Sequence, residues 1–567
     1  MSEVLRVGNA SGFYGDRFSA WREMLDGGDL DVLTGDYLAE LTMLILGRDR
    51  LRDPALGYAK TFLRQLEGCL GTALDRGVRI VTNAGGLNPA GLAAAIGGLA
   101  ERLDLPVRVG YVEGDALDRA DALTANAYLG AFGIAACLDG GADVVVTGRV
   151  TDASLVVGPA IARFGWGRDD LDALAGATVA GHLVECGAQV TGGNFSFFTE
   201  LPDGGHRPGF PIAELHPDGS CVLTKHPGTG GGVTVETVTA QLLYEVGAPA
   251  YPGPDVVTRL DTVTLRADGP DRVRVSGVRG TPPPDTLKVG VNNLGGFRNS
   301  MTFVLCGLDI PAKAALVRGQ LAEAVGTEGL EFTLARTDHP DAADTEAASA
   351  LLHVHLRDGD KARAGRAFSA AAVELALASY PGCTLTTLPG DATPYGVFTA
   401  DTVPQDAVAH VAVLPSGERV PIPPPTRTAA EAPEPAPAEP PPVAGGPTRR
   451  GPLGELVGAR SGDKGGDANL GVWARSDRAY DWLRGWLTVA RLAELLPETA
   501  SLAVERYELP NLRAVNFVIR GLLGQGVAAS TRFDPQAKAL GELLRSRIVD
   551  LPADLAARPA TNTGEDS

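Results

Sequence analysis

Val78-Arg79-Ile80-Val81-Thr82-Asn83-Ala84-Gly85-Gly86-Leu87-Asn88-Pro89 decides the fold class of this chain. Val78–Val81 reads as a short apolar strand. The next eight residues are polar or small apart from Leu87 and Pro89, and their glycines let the backbone turn sharply. Residues 90–103 are rich in alanine and leucine and have helical length. Strand, glycine-rich turn and helix make one half of a βαβ unit. Four more segments repeat it: Val4–Val7 ending in Asn9 and Ser11, Leu30–Leu33 ending in Asp36, Val107–Val109 before Asp115, and Val144–Val146 ending in Arg149 and Asp152. Helical stretches such as 125–138 lie between. Short apolar strands spaced by helices predict an α/β fold with a parallel sheet buried on both faces.

Ligands of open parallel sheets bind outside the carboxyl ends of the strands. Asn9, Ser11, Asp36, Asn83, Asn88, Arg149 and Asp152 all fall in such loops. Each on its own also fits a helix cap or a turn. As a set they predict one ligand crevice.

The chain has 567 residues, too many for one core and enough for roughly three to four domains. Residues 1–190 carry the parallel-sheet pattern. From 191 to 420 strand-like alternation dominates (195–198, 221–224, 233–238, 256–265 and 273–278), with helices at 311–325 and 362–378. That predicts an α+β part of the same region. Residues 421–452 hold 12 prolines and predict an extended tether, which at ~3.1 Å per residue spans roughly 100 Å. Residues 453–552 read as a small α+β domain, with strands at 470–474, 504–509, 514–519 and 526–533 and helices at 477–487, 488–495 and 535–547. The polar tail 553–567 predicts disorder.

A formal charge of −19 disfavours nucleic acid and anionic membranes, both of which need a basic face. Six scattered cysteines without a C-x-x-C pair argue against a zinc ribbon, a redox motif or a disulfide scaffold. With no signal-peptide pattern and no apolar run of about 18 residues, the expectation is a soluble, cytoplasmic protein. Its size further suggests a homo-oligomer.

Three constellations carry possible chemistry. In Lys225–Val233, the consecutive glycines Gly230 and Gly231 present N–H groups to an anion, with Lys225 as counter-charge and Thr229 as donor. The segment fits a flexible hairpin loop equally well, and no Walker or dinucleotide pattern is present, so no nucleotide cofactor is indicated. His182, Glu185 and Cys186 share one helical face. They fit core packing, acid–base work, a nucleophile–base pair or a metal set, although the second histidine of a zincin is absent. Tyr244 and Glu245 follow a helical pattern at residues 237–246 and can serve acid–base work or sit on a surface helix. Arg460-Ser461-Gly462-Asp463-Lys464-Gly465-Gly466-Asp467-Ala468-Asn469 mixes both charges with glycine and reads as a functional loop that opens the small domain.

Gly8–Gly12, Thr82–Gly86, Gly148–Asp152, His182–Gly187, Gly228–Gly232 with Gln241–Glu245, and Arg460–Gly466 occur in this order. Together they resemble the acyclic terpene utilization (AtuA) family over nearly the whole chain. The resemblance implies a large N-terminal domain, a small ferredoxin-like C-terminal domain that is a separate chain in some relatives, and a setting in catabolism of acyclic terpenes through branched acyl-CoA thioesters. It brings no accepted catalytic set. The expected function is lyase or hydratase chemistry on a branched acyl-CoA or related carboxylate. His182, Glu185 or Tyr244 moves protons, while Lys225, Thr229, Gly230 and Gly231 hold an anion. Arg460, Ser461, Asp463 and Lys464 complete the site, with no metal and no cofactor. A non-catalytic acyl-CoA-binding scaffold and a metal-dependent hydrolase are the alternatives.

Overall fold

The computed structural model describes residues 4–387, 389–429, 440–442 and 445–555. Five parallel strands form the middle of the main sheet: β1 (Leu5–Asn9), β2 (Val32–Gly35), β3 (Arg79–Thr82), β4 (Val109–Glu113) and β5 (Val144–Thr147), in the order β1-β2-β3-β5-β4. β2 and β5 are buried at every position, as a sheet covered on both faces requires. Among the described residues the full sheet has eleven strands. Pro211–Leu215 pairs antiparallel with β1, and Val411–Val413 with β4, so later segments extend both edges. Two cores lie against the sheet. One holds Val145, Leu183 and Ala213, the other Leu33, Phe62 and Ile96.

The fold divides into two compact units. The first runs up to Asn292 and adds Phe398–Val527 and the chain from Gln536 onward; it includes the small C-terminal domain. That domain is an antiparallel sheet in the order Val457–Lys464, Asp467–Ala474, Ala514–Ile519, Val504–Leu509. Helices such as Asp477–Trp486 pack with it around Leu470, Leu483 and Phe517. The second unit is Asn293–Val397 with Ala528–Pro535. Its strands Leu330–Ala335, Ser349–Asp358 and the later part of Thr286–Cys306 lie side by side, with a core of Phe303, Leu352 and Phe368.

Several expected elements differ. The segment 125–138 splits into a strand, Thr124–Ala127, and a helix, Phe132–Asp139. Pairing of Thr124–Ala127 with Val289–Asn292 overrides the helix preference of its alanines. Residues 233–238 are no strand, because Thr234 and Thr237 form a reciprocal capping box that starts the Val235–Leu242 helix. Phe195–Phe198 is a turn whose Phe195 ring stacks on Trp473 at 6.3 Å. Residues 526–533 also lack a strand, and the helix expected over 535–547 shortens to Leu540–Arg545. The segment Arg460–Asn469 is a β-hairpin rather than a loop, paired from Val457↔Ala474 to Lys464↔Asp467, with Gly465 at φ 67° in the turn. At the ends of the proline-rich span, Arg419–Pro421 and Thr448–Pro452 are strands. Residues 430–439 and 443–444 of that span, and 556–567 of the tail, lie outside the described residues.

Candidate functional site

The carboxyl ends of the parallel strands interlock. From β2, Asp36 accepts a hydrogen bond from Asn83 Nδ2 (2.6 Å) at the end of β3, and Asn83 Oδ1 accepts from the Tyr37 N–H (2.8 Å). From β5, Arg149 pairs with Asp152 (2.7 Å), donates to Leu38 O (3.2 Å) and lies over the Tyr128 ring at 4.1 Å. Asp115, beyond β4, accepts from the Arg149 N–H (2.9 Å) and Asn126 Nδ2 (2.7 Å); burial raises its carboxyl to about 6.

Asn9, at the end of β1, has a different task. Its Nδ2 donates to Val184 O (2.6 Å) and Glu185 O (3.0 Å), the last carbonyls of the Leu171–Glu185 helix. Helix ends leave such carbonyls unpaired. The chain then reverses at Gly187 (φ 60°), and Gly12 lets it pass: a Cβ there would sit 2.5 Å from the Cys186 carbonyl carbon. Glu185 is thereby fixed, and His182 Nδ1 lies 3.1 Å from Glu185 Oε1.

The second wall comes from the Val235–Leu242 helix and the C-terminal hairpin. Glu245 follows that helix at φ 57°, the left-handed region that costs a non-glycine residue strain. The hairpin holds it by both backbone groups. Asn469 Oδ1 accepts from the Glu245 N–H (2.8 Å), and Lys464 Nζ donates to Glu245 O (3.1 Å). Beside it the Arg460 guanidinium lies over the Tyr244 ring at 4.3 Å, and Gly462 approaches so closely that a Cβ would be 2.4 Å from Tyr244 Cε2.

These walls put Asp36, Asp152, Glu185 and Glu245 within electrostatic reach of one another, with Glu40 and Asp463 nearby. Burial, then the charges of Asp152 and Glu245, hold Glu185 well above the usual carboxylate range. Burial and Asp152 do the same to Asp36. Glu245 is raised chiefly by burial, and Asp463 is pushed up to about 8 by burial and by Glu245. Lost hydration moves the bases the other way: buried His182 falls to about 4, and Lys464, whose surroundings shed water although its tip reaches solvent, falls to about 8 with help from Lys288. Acids pushed up and bases pushed down therefore face one space, and perturbed groups gathered in a cleft mark a candidate acid–base site. Lys464 and Lys288 are exposed while Glu185, Glu245 and Asp152 are half-buried, so solvent reaches this space.

Of the residues singled out in the sequence, Asp36, Asn83, Arg149, Asp152, His182, Glu185, Tyr244, Arg460 and Lys464 come together here. Others do not take part directly. Ser11 Oγ donates to Phe13 O (3.0 Å). Ser461 points into its own domain, where its hydroxyl accepts from the Gly541 N–H (2.9 Å). The Lys225 loop satisfies itself: Lys225 Nζ bonds Thr229 O (2.8 Å) and Asp271 (3.0 Å), and Thr229 Oγ1 donates to His226 O (2.7 Å). Gly230 and Gly231 serve close backbone crossings, with a Cβ 2.3 Å from His206 O or 2.2 Å from Thr191 O. Sequence reasoning missed Tyr128, Tyr251, Lys288 and Glu40, none of which sits in a glycine-rich segment. Among the described residues no group of three or more His, Cys, Asp or Glu side chains is arranged to hold a metal ion. No described helix is long and apolar enough to cross a membrane.

Residues 5–414 match the acyclic terpene utilisation family protein AtuA. The chain belongs to the AtuA family. Residues 451–550 match the AtuA ferredoxin-like domain, which is the domain that carries the hairpin. No curated protein matches the chain. Membership relates the chain to acyclic terpene utilisation, and both matched regions contribute residues to the crevice.

Proposed function

We propose that this member of the AtuA family is a lyase or hydratase acting on a branched acyl-CoA or a related carboxylate, with Glu185 as the principal proton donor. The observation that carries this reading is the His182–Glu185 contact of 3.1 Å inside a set of carboxyls that raise one another. In the hydration direction, a protonated carboxyl gives its proton to one carbon of a C=C bond. Water adds its oxygen to the other carbon and loses a proton to Asp152, the carboxylate paired with Arg149. The reverse sequence eliminates water. His182, uncharged at neutral pH, returns the proton between the carboxyls and Glu185. Arg149 orients Asp152, and a group on Lys464 holds the substrate carbonyl or carboxylate.

The test is turnover of branched 2-enoyl- and 3-hydroxyacyl-CoA thioesters, with deuterium incorporation from solvent, in the parent protein and in Glu185→Gln. The variant keeps the shape but not the acid, and a general acid contributes about 10²- to 10⁴-fold. Parent-level turnover in Glu185→Gln removes Glu185 from the mechanism. Binding of these thioesters without any turnover in the parent favours the scaffold reading.

A further inference from the structure

One wall of the crevice carries a row of cations. The Arg149 guanidinium lies 4.1 Å from the Tyr128 ring centre, and Lys288 Nζ lies 4.6 Å from the same ring. Lys288 Nζ is also 6.0 Å from the Phe398 ring. Phe398 packs under the hairpin turn, where a Cβ on Gly465 would be 3.3 Å from its Cε1, and Lys464 is the next residue. Lys288 is fixed from the other side, because Tyr128 N donates to its carbonyl (2.8 Å) and Val289 pairs with Ala127. The Lys464 ammonium has a ring of its own, Tyr251, at 5.9 Å, and it lies within electrostatic reach of Lys288.

Arg149 is neutralised by Asp152. The lysines are not. Among the described residues no hydrogen bond or ion pair engages the Lys288 ammonium, and the Lys464 ammonium has one backbone carbonyl, Glu245 O. Both are exposed. Of the carboxyls nearby, Glu185, Glu245 and Asp463 are pushed up by burial, while Glu40 and Asp152 favour the charged ammonium of Lys288 without bonding to it. Each ammonium has donors to spare, and each is flanked by an apolar ring. That chemistry suits an oxyanion attached to an apolar skeleton.

We propose that Lys288 and Lys464 together hold an oxyanion group of the substrate, carboxylate or phosphate, beside the carboxyl cluster. The inference rests on the reading of the crevice as the active site. It adds Lys288, which no glycine-rich segment marks.

The full chain is labelled with a lysine-acetylating reagent in the presence of pyrophosphate, or of 3-methylbutanoate, and each lysine is read by peptide mass spectrometry. At least one anion should slow labelling of both Lys288 and Lys464 by about tenfold, the size expected for charge-assisted hydrogen bonds. Lys60 and Lys361, in surface ion pairs, should not respond. Protection by pyrophosphate identifies a phosphate group, and protection by the carboxylate a carboxylate. Lys288→Gln should weaken binding of the protecting anion about tenfold, and Lys288→Arg should retain it. No protection by either anion, or unchanged anion affinity in folded Lys288→Gln, overturns the proposal. Glu185→Gln should keep the protection. Loss of protection and full activity in Glu185→Gln are separate results, so this inference and the proposed reaction fail separately.

Discussion

Asn469→Ala tests the grip of the C-terminal hairpin on Glu245. Asn469 is fully buried and makes two hydrogen bonds. Its Oδ1 accepts from the Glu245 N–H (2.8 Å), and its Nδ2 donates to Asn516 Oδ1 (2.5 Å). Alanine removes both and leaves a buried N–H and a buried amide oxygen without partners. Each such group costs about 1–3 kcal/mol. Glu245 also sits at φ 57°, a strained conformation that its neighbours must hold in place. Allowing for relaxation, local stability should fall by roughly 2–4 kcal/mol, which accelerates opening-limited amide exchange about 30- to 700-fold. The assay is hydrogen–deuterium exchange in peptides covering 243–247, because a chain of several domains has no single unfolding free energy. Asn469→Asp, which keeps the acceptor for Glu245 and loses the donor to Asn516, should show a smaller acceleration. Exchange at the Glu245 peptide unchanged in Asn469→Ala would refute the reasoning.

Gly462→Ala places a Cβ 2.4 Å from Tyr244 Cε2, and the buried ring has little room to yield. A loss of about 1–3 kcal/mol is expected from overpacking, read by chemical denaturation against Gly458→Ala as a comparison close to Trp473. Asp115 gives a pH signature. Its folded value, about 6, lies above the ordinary 3.8, so its contribution is complete below the unfolded value and is lost as pH rises through 6. Removing it in Asp115→Asn should flatten the stability–pH slope between those limits, worth roughly 3 kcal/mol. Lys464 titrates near 8 rather than 10.5. Anion binding at the crevice should weaken as pH rises through 8, while Lys464 contributes a stability gain between 8 and 10.5, where the unfolded chain binds more protons. Isothermal titration with the protecting anion across that range checks the first effect.

The parallel sheet was legible because its strands are short, apolar and closed by glycine-rich polar turns, a local pattern with one reading. The same pattern marked Asp36, Asn83, Arg149 and Asp152. Asn9 was marked too, but it tethers a helix end rather than facing a ligand, and local sequence does not say which. Lys225 and Thr229 misled for a related reason: glycines that serve backbone crossings look like glycines that cradle anions. Lys288 was invisible because it lies inside a strand and gains its role from Tyr128, far away in sequence. Asn469 lies at the end of a marked segment, but its hold on Glu245 is a tertiary contact that the segment does not announce. Thr124–Ala127 and Val235–Leu242 were misread where strand pairing or a capping box outweighed residue preference.

The C-terminal domain is fastened to the sheet domain at many points besides Glu245. Arg475 reaches Glu200 and Glu236, Asn516 donates to Val246 O and Gly247 O, Asn511 to Leu260 O and Val263 O, and Arg545 to Ser196 O. None of these contacts runs through the proline-rich span. These contacts should therefore hold the two domains together without the covalent connection. It keeps two partners at high mutual concentration, and the recognition surface does the rest. A protein nicked between 430 and 439 should stay whole in solution. Two products split at the same place should likewise assemble into one crevice.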